Sequence, residues 1–123
     1  MIEVEKLWGS ETWLENDENY CAKLLFLTEG FQSSLHFHKE KIETFICVAG
    51  KVRLEILPYY NSHPDQADVI QKRYLQPYQS ATLRPYQPHR FTALTPTAVI
   101  VETSTFHSDE DVVRLEESRK IDG

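Results

Sequence analysis

The side chains best suited to chemistry lie between Gly30 and Gly50, where His36-Phe37-His38 is separated from Glu43 by Lys39-Glu40-Lys41-Ile42. Histidines one residue apart on a strand project from the same face, because strand side chains alternate with period two. Both imidazoles can therefore reach one ion. Glu43 opens the apolar run Thr44-Phe45-Ile46-Cys47-Val48, so a turn would carry its carboxylate back beside the histidines on the next strand of a hairpin. Imidazole nitrogens with a carboxylate oxygen form a donor set for divalent transition metals. A lone His-x-His is commonly no more than a pair of satisfied or exposed imidazoles; the nearby carboxylate and the two flanking glycines favour the metal here.

The elements that must position these groups read as short β runs separated by turn residues. They are Thr12 to Leu14, Tyr20 to Thr28, Ser34 to His38, Glu43 to Val48, Val52 to Leu57, Ala81 to Arg84, Phe91 to Leu94 and Ala98 to Thr103. Runs of this length and spacing predict an all-β sandwich or barrel. The polar stretch Pro58 to Gln71 predicts a hairpin loop, in which Tyr59, Tyr60 and His63 are either pocket residues or plain solvent-facing ones. Ser108-Asp109-Glu110-Asp111 before Val112, Val113 and Leu115 predicts one short C-terminal helix capped by Ser108, and Glu116 to Gly123 predicts a frayed tail.

Composition sets the outer limits. A chain of 123 residues with no visible linker or repeat predicts one domain over residues 1–123 that needs no disulfide. Cys21 and Cys47 sit in strand-like runs and read as buried thiols. The first residues are polar and acidic, which argues against a secretion signal or membrane span and makes the cytoplasm the expected location. A formal charge of −6 argues against a nucleic-acid partner, since Lys72-Arg73 is the only basic cluster.

The segment from Gly30 through His36, His38 and Glu43 to Gly50 resembles the first motif of the cupin superfamily, whose members are double-stranded β-helix, or jelly-roll, barrels. The resemblance implies a further ligand from a second motif, and Pro85-Tyr86-Gln87-Pro88-His89 supplies His89. That motif's usual glycine is Gln87 here, and its usual terminal asparagine is Ala93. Trp8 to Trp13, Tyr20 to Leu25, Pro88-His89-Arg90 and Glu102-Thr103-Ser104 are similar to the sugar-isomerase branch, meaning the cupin domain of type II phosphomannose isomerases and the D-lyxose isomerases. This implies metal ligands His36, His38, Glu43 and His89, with Mn²⁺ expected first and Fe²⁺, Co²⁺, Ni²⁺ or Zn²⁺ as alternatives. It also implies a functional lysine at Lys41, which reads equally well as a solvated turn residue.

Glu102 falls on the branch's acidic position. A carboxylate continuing the apolar run Ala98-Val99-Ile100-Val101 is costly to bury unless paired or used, which makes it the candidate general base; the alternative is an exposed sheet edge. Lys23, Arg90 and Arg114 are candidate binders of a sugar hydroxyl or phosphate, each with an adequate structural role as well. Period two puts Arg90 on the face opposite His89 unless the strand bulges. The implied activity is a metal-dependent aldose–ketose isomerase working through an enediolate on a free or phosphorylated sugar. A metal-dependent dioxygenase and a non-catalytic sugar- or metal-binding module are the alternatives. Cupins pair through their sheets with an N-terminal strand added to a neighbour, so the resemblance further implies a homodimer, with Trp8 and Trp13 as contact candidates.

Overall fold

The computed structural model describes residues 2–58 and 70–121. Tyr59, Tyr60 and His63 lie outside them. Among the described residues the regular structure is almost entirely strand: β1 Ile2–Lys6, β2 Gly9–Asn16, β3 Cys21–Thr28, β4 Phe31–Gln32, β5 Leu35–His38, β6 Glu43–Ala49, β7 Val52–Ile56, β8 Gln71–Leu75, β9 Ser80–Leu83, β10 His89–Ala93, β11 Thr97–Ser104, β12 Val112–Glu116 and β13 Arg119–Lys120. The strands form two antiparallel sheets. The first runs β1-β2-β3-β11-β6-β9; the second runs β12-β5-β10-β4-β13, with β7 pairing β10 and β8 extending from β7. This is the all-β barrel that the sequence predicts.

Alternation of burial shows which face of each strand meets the core. Along β3 the residues Cys21, Lys23, Leu25 and Leu27 are buried while Ala22, Leu24, Phe26 and Thr28 are not, and β11 repeats the pattern with Ala98, Ile100 and Glu102 inward. The core of Leu25, Leu27, Phe45, Leu54, Phe91 and Ile100 draws on strands of both sheets. Trp8 joins it at 5 % exposure, edge-on to Phe91 with ring centroids 4.9 Å apart. Gly9 follows at φ 147°, and a Cβ there would collide with the Phe26 carbonyl oxygen, so the β1–β2 turn can approach β3 only as glycine. Cys21 and Cys47 are free and buried, as expected.

Three expectations need correction. First, β5 and β6 do not form a hairpin: β5 pairs with β10 and β12, whereas β6 pairs with β11 and β9 in the other sheet. Residues 39–42 therefore cross between sheets, and Glu43 faces the histidines across the barrel. Second, the C-terminal helix is a single 3-10 turn, Asp109–Asp111, in which Ser108 makes no side-chain cap; β12 follows at once, with Val112 opposite His38 and Val113 opposite Phe37. β-branched Val112 and Val113 suit a strand, and the open edge of β5 gives their backbone a partner that an isolated helix lacks. Third, the tail is not wholly frayed, because β13 pairs with β4 and Arg119 Nε donates to Gln32 Oε1 at 3.0 Å.

Candidate metal centre

His36 and His38 leave β5 on its inner face, and Phe37 between them turns the other way onto Tyr86. Register sets His89 of β10 directly opposite His36. The ring centroids of His36 and His89 are 4.6 Å apart and those of His36 and His38 5.2 Å, with ligand nitrogens from all three within 4.8 Å of one another. Across the barrel Glu43 sets Oε1 3.0 Å from His89 Nε2 and Oε2 3.1 Å from His38 Nε2.

The outer nitrogen of each ring faces an acceptor. His89 Nδ1 lies 2.9 Å from the Gln87 carbonyl, and His36 Nδ1 lies 3.1 Å from the Ser34 carbonyl. His38 Nδ1 has Asp111 Oδ2 at 3.5 Å, an ion-pair separation rather than a hydrogen bond. An Nδ1–H donated outward leaves the Nε2 lone pair pointing inward, the arrangement that orients histidines at metal sites. Asp111 has a second task. Its carboxylate accepts the backbone N–H groups of Lys39, Glu40 and Lys41 at 3.1, 2.8 and 3.2 Å, which ties down the crossing from β5 to β6.

Burial, the Glu43 carboxylate and the neighbouring imidazoles pull the groups of this cluster in different directions. Burial and the neighbouring His89 and His38 hold His36 well below the ordinary histidine pKa, with Glu43 only partly opposing them. Burial would also depress His89, but the Glu43 carboxylate reverses this and raises it. Burial would raise Glu43, yet His89, His38 and Lys41 carry it well below the usual carboxylate range. Glu43 Oε2, fully buried, has no hydrogen-bond donor, and imidazole nitrogens turned inward beside it can serve a cation. His36, His38 and His89 thus form a triad able to hold a metal ion, with the Glu43 carboxylate beside it.

Lys41 is not a solvated turn residue. It precedes β6, but its side chain turns inward at 3 % residue exposure, and Nζ reaches Glu102 Oε2 at 2.7 Å and Glu43 Oε2 at 3.5 Å. Burial opposes its charge, but Glu102 and Glu43 override this and raise its pKa. Glu102 is buried on β11 directly opposite Lys23 of β3, which excludes the exposed sheet edge. Lys23 Nζ sits 4.2 Å over the Trp13 ring and 3.8 Å from Glu11 Oε1. All of these groups line one cavity of about 310 Å³, walled also by Trp13, Ser34, Phe45 and His107, with Arg114 of β12 at its exposed edge.

Arg90 is a correction: β10 is regular here, so Arg90 points away from His89 and pairs with Glu55 at 3.1 Å and Glu116 at 3.5 Å on the outside of the barrel. His107 is the residue that sequence reasoning misses. Its Nδ1 lies 3.1 Å from Lys41 Nζ and its Nε2 3.0 Å from Asp109 Oδ1, and paired backbone and side-chain bonds with Asn16 fix its place. Burial, then the cations Lys41 and Lys23, lower its pKa to about 4, so it is a neutral acceptor for the lysine at neutral pH. Phe106-His107-Ser108 carries no periodic pattern that would have marked it.

No family model matches the chain, and no curated protein matches it in sequence. Solved structures do match in shape. Capsular polysaccharide assembling protein CapF from Staphylococcus aureus superposes with a TM-score of 0.76 at 16% identity over 99% of this chain and 34% of that one. Oxalate decarboxylase from Lactobacillus farciminis, as its formate complex, gives 0.75 at 16% over 93% and 33%. KdgF from a Halomonas species gives 0.67 at 16% over 82% and 81%. This chain spans about a third of the length of the first two. No helix among the described residues is long and apolar enough to cross a membrane. The protein has the cupin fold, with a histidine triad able to hold a metal ion.

Proposed function

We propose that the chain is a metal-dependent aldose–ketose isomerase acting on a small sugar, free or phosphorylated. The observation that carries this reading is the buried pair of Lys41 and Glu102, 2.7 Å apart, on the wall of the cavity that His36, His38 and Glu43 also line, with His89 bonded to Glu43 behind them. Two proton carriers beside a metal donor set are what an enediolate route requires. A divalent ion held by His36, His38, Glu43 and His89 would supply Lewis acidity to the carbonyl and neighbouring hydroxyl oxygens of an open-chain sugar. Glu102, as base, takes the proton from C2 and returns it to C1. Lys41 is positioned to carry the proton lost from the C2 hydroxyl to the C1 oxygen, so that aldose and ketose differ by two moved hydrogens and nothing is consumed. Neutral His107, bonded to Lys41 and to Asp109, keeps the ammonium aimed at the cavity. Lys23 and Trp13 offer a cation and an aromatic face to sugar oxygens and C–H groups. CapF is described as assembling capsular polysaccharide, which agrees with carbohydrate chemistry on this fold.

The test is chromatographic detection of ketose formed from a panel of free and phosphorylated aldoses by the Mn²⁺-loaded protein. Glu102→Gln is expected to lower kcat by at least about a hundredfold, the scale of a general base, with metal content unchanged. Full activity in that variant removes Glu102 from the role. Oxygen uptake with Fe²⁺ and no ketose points to a dioxygenase. Tight sugar binding with no product from any aldose points to a binding module.

A further inference from the structure

The acidic groups lining the cavity are committed to partners. Glu102 holds Lys41, Glu43 faces His38 and His89, Asp109 takes His107, and Glu11 Oε1 accepts the Trp13 indole N–H at 3.0 Å. The cations are less well matched. Lys23 Nζ carries three donors and gives none of them to a described residue. Its one carboxylate contact is Glu11 Oε1, 3.8 Å away and already used by Trp13, so Glu11 offsets part of the charge without accepting a hydrogen bond. The Lys23 side chain is only 3 % exposed and meets the Trp13 ring at 4.2 Å and the cavity. Lys6 of β1, half-buried, and Arg114 of β12, exposed, line the same cavity and make no hydrogen bond or ion pair with a described residue. Composition does not explain uncommitted cations gathered in one cavity, since the chain carries −6.

We infer that the substrate of this cavity carries an anionic substituent, a carboxylate or a phosphate, which docks on Lys23 beside Trp13, with Lys6 and Arg114 drawing it in from the rim. The inference deepens the isomerase reading and rests on it for the sugar that bears the group. A ligand that enters must offer acceptors to the Lys23 ammonium or leave it desolvated, which is costly. A hydroxyl does no more than replace water there. An anionic oxygen does better, because a hydrogen bond between two ionised groups is shorter and roughly twice as strong as a neutral one. The low-dielectric wall of Trp13 strengthens the pair further, and cations around one opening focus the field on an approaching anion. Register fixes where the group lies. Lys23 stands directly opposite Glu102 on one side and Trp13 on the other, so the anion sits one strand away from the Lys41–Glu102 pair. The sugar's reacting carbons then lie toward β11 and its charged substituent toward β2 and β1, following the strand order of the sheet. A neutral aldose leaves Lys23 unanswered, which makes this lysine a specificity-determining residue.

Isothermal titration calorimetry on the Mn²⁺-loaded intact chain at neutral pH tests this by binding alone. The probes are glucose, glucuronate and glucose 6-phosphate, with the matching galactose series beside them. In at least one series an anionic member should bind at least about tenfold tighter than the neutral sugar, and the tighter anion tells carboxylate from phosphate. Lys23→Met keeps an unbranched side chain against Trp13 and removes the charge, so with metal content unchanged it should bring that preference to within about twofold. If circular dichroism shows that Lys23→Met does not fold, the double variant Lys6→Ala with Arg114→Ala decides, since neither residue is buried; it should lower the preference about threefold or more, and no change there overturns the proposal. Equal binding of neutral and anionic sugars also overturns it. So does the absence of binding by every anionic probe at millimolar concentration, or a preference that survives Lys23→Met, which would put the anion on the metal or elsewhere. Anion preference with no ketose from any aldose would sink the isomerase reading and leave the subsite standing; ketose formed with equal affinity for neutral and anionic sugars would do the reverse.

Discussion

Asp111→Asn probes how the histidine cluster is held. Asparagine keeps the shape but removes the charge: Oδ1 accepts from Lys39 and Glu40 and Oδ2 from Lys41, so an NH₂ group at either place opposes one or two of the N–H donors and the neutral oxygen left binds the others less strongly. Three hydrogen bonds at 3.1, 2.8 and 3.2 Å are affected, and the first two are open to solvent, so water recovers part of their worth. At about 0.5–1.5 kcal/mol net per bond, discounted for that exposure, the variant should lose about 1–2 kcal/mol. For a chain of this length that lowers Tm by about 3–8 °C. The carboxylate 3.5 Å behind His38 Nδ1 is lost as well, and removing such a partner weakens metal binding by about 10–100-fold. The stabilisation conferred by saturating Zn²⁺ or Co²⁺ should then shrink by about 1.4–2.7 kcal/mol. Thermal melts with chelator and with metal, together with competition against a chromophoric chelator, measure both quantities. Metal affinity within about twofold of the parent, with a lowered Tm, would reduce Asp111 to a loop cap. An unchanged Tm would refute the hydrogen-bond reading itself.

Other perturbations follow from the same structure. Lys41→Met leaves Glu102 without its partner and removes one of those of Glu43, both carboxylates being buried; the loss should be about 3 kcal/mol in urea unfolding, and a change below about 1 kcal/mol would contradict the pairing. His107 titrates near about 4 in the folded chain and near 6.5 when unfolded, so between these values the unfolded chain takes up a proton that the native state refuses, and stability falls as pH drops through that window. His107→Gln removes that uptake, so its urea midpoint should decline less steeply from pH 6.5 to 4, and parallel slopes for parent and variant would show that the imidazole is not held neutral. Gly9→Ala drives a Cβ into the Phe26 carbonyl at φ 147° and should cost about 2 kcal/mol or more, read as a lowered urea midpoint; a stable alanine variant would mean that the β1–β2 turn can move off β3.

The local part of this protein is legible in the chain. Period two alone puts His36 and His38 on one face and Arg90 opposite His89, and a carboxylate at the end of the Ala98 to Val101 run singles out Glu102 as either buried with a partner or exposed at a sheet edge, between which the structure chooses burial. The β character of Glu43 to Val48 and of Ala98 to Thr103 follows from their own residues. Pairing between distant segments is another matter, since strand partners are chosen by the closure of the whole barrel. That closure sets Glu43 across from the histidines instead of beside them, and it turns Lys41 inward although it lies outside the strand. It also overrides the local helix signal after Ser108, because β5 offers Val112 and Val113 a backbone partner that outweighs an acidic first turn. His107 and Asp111 meet Lys41 and Lys39 across sequence separations of 66 and 72 residues, with no local pattern to announce either contact. The sequence by itself determined the donor types, their facing along each strand and the all-β fold; only the tertiary structure decided which donors share a cavity, since that depends on non-local pairing that short-range periodicity does not encode.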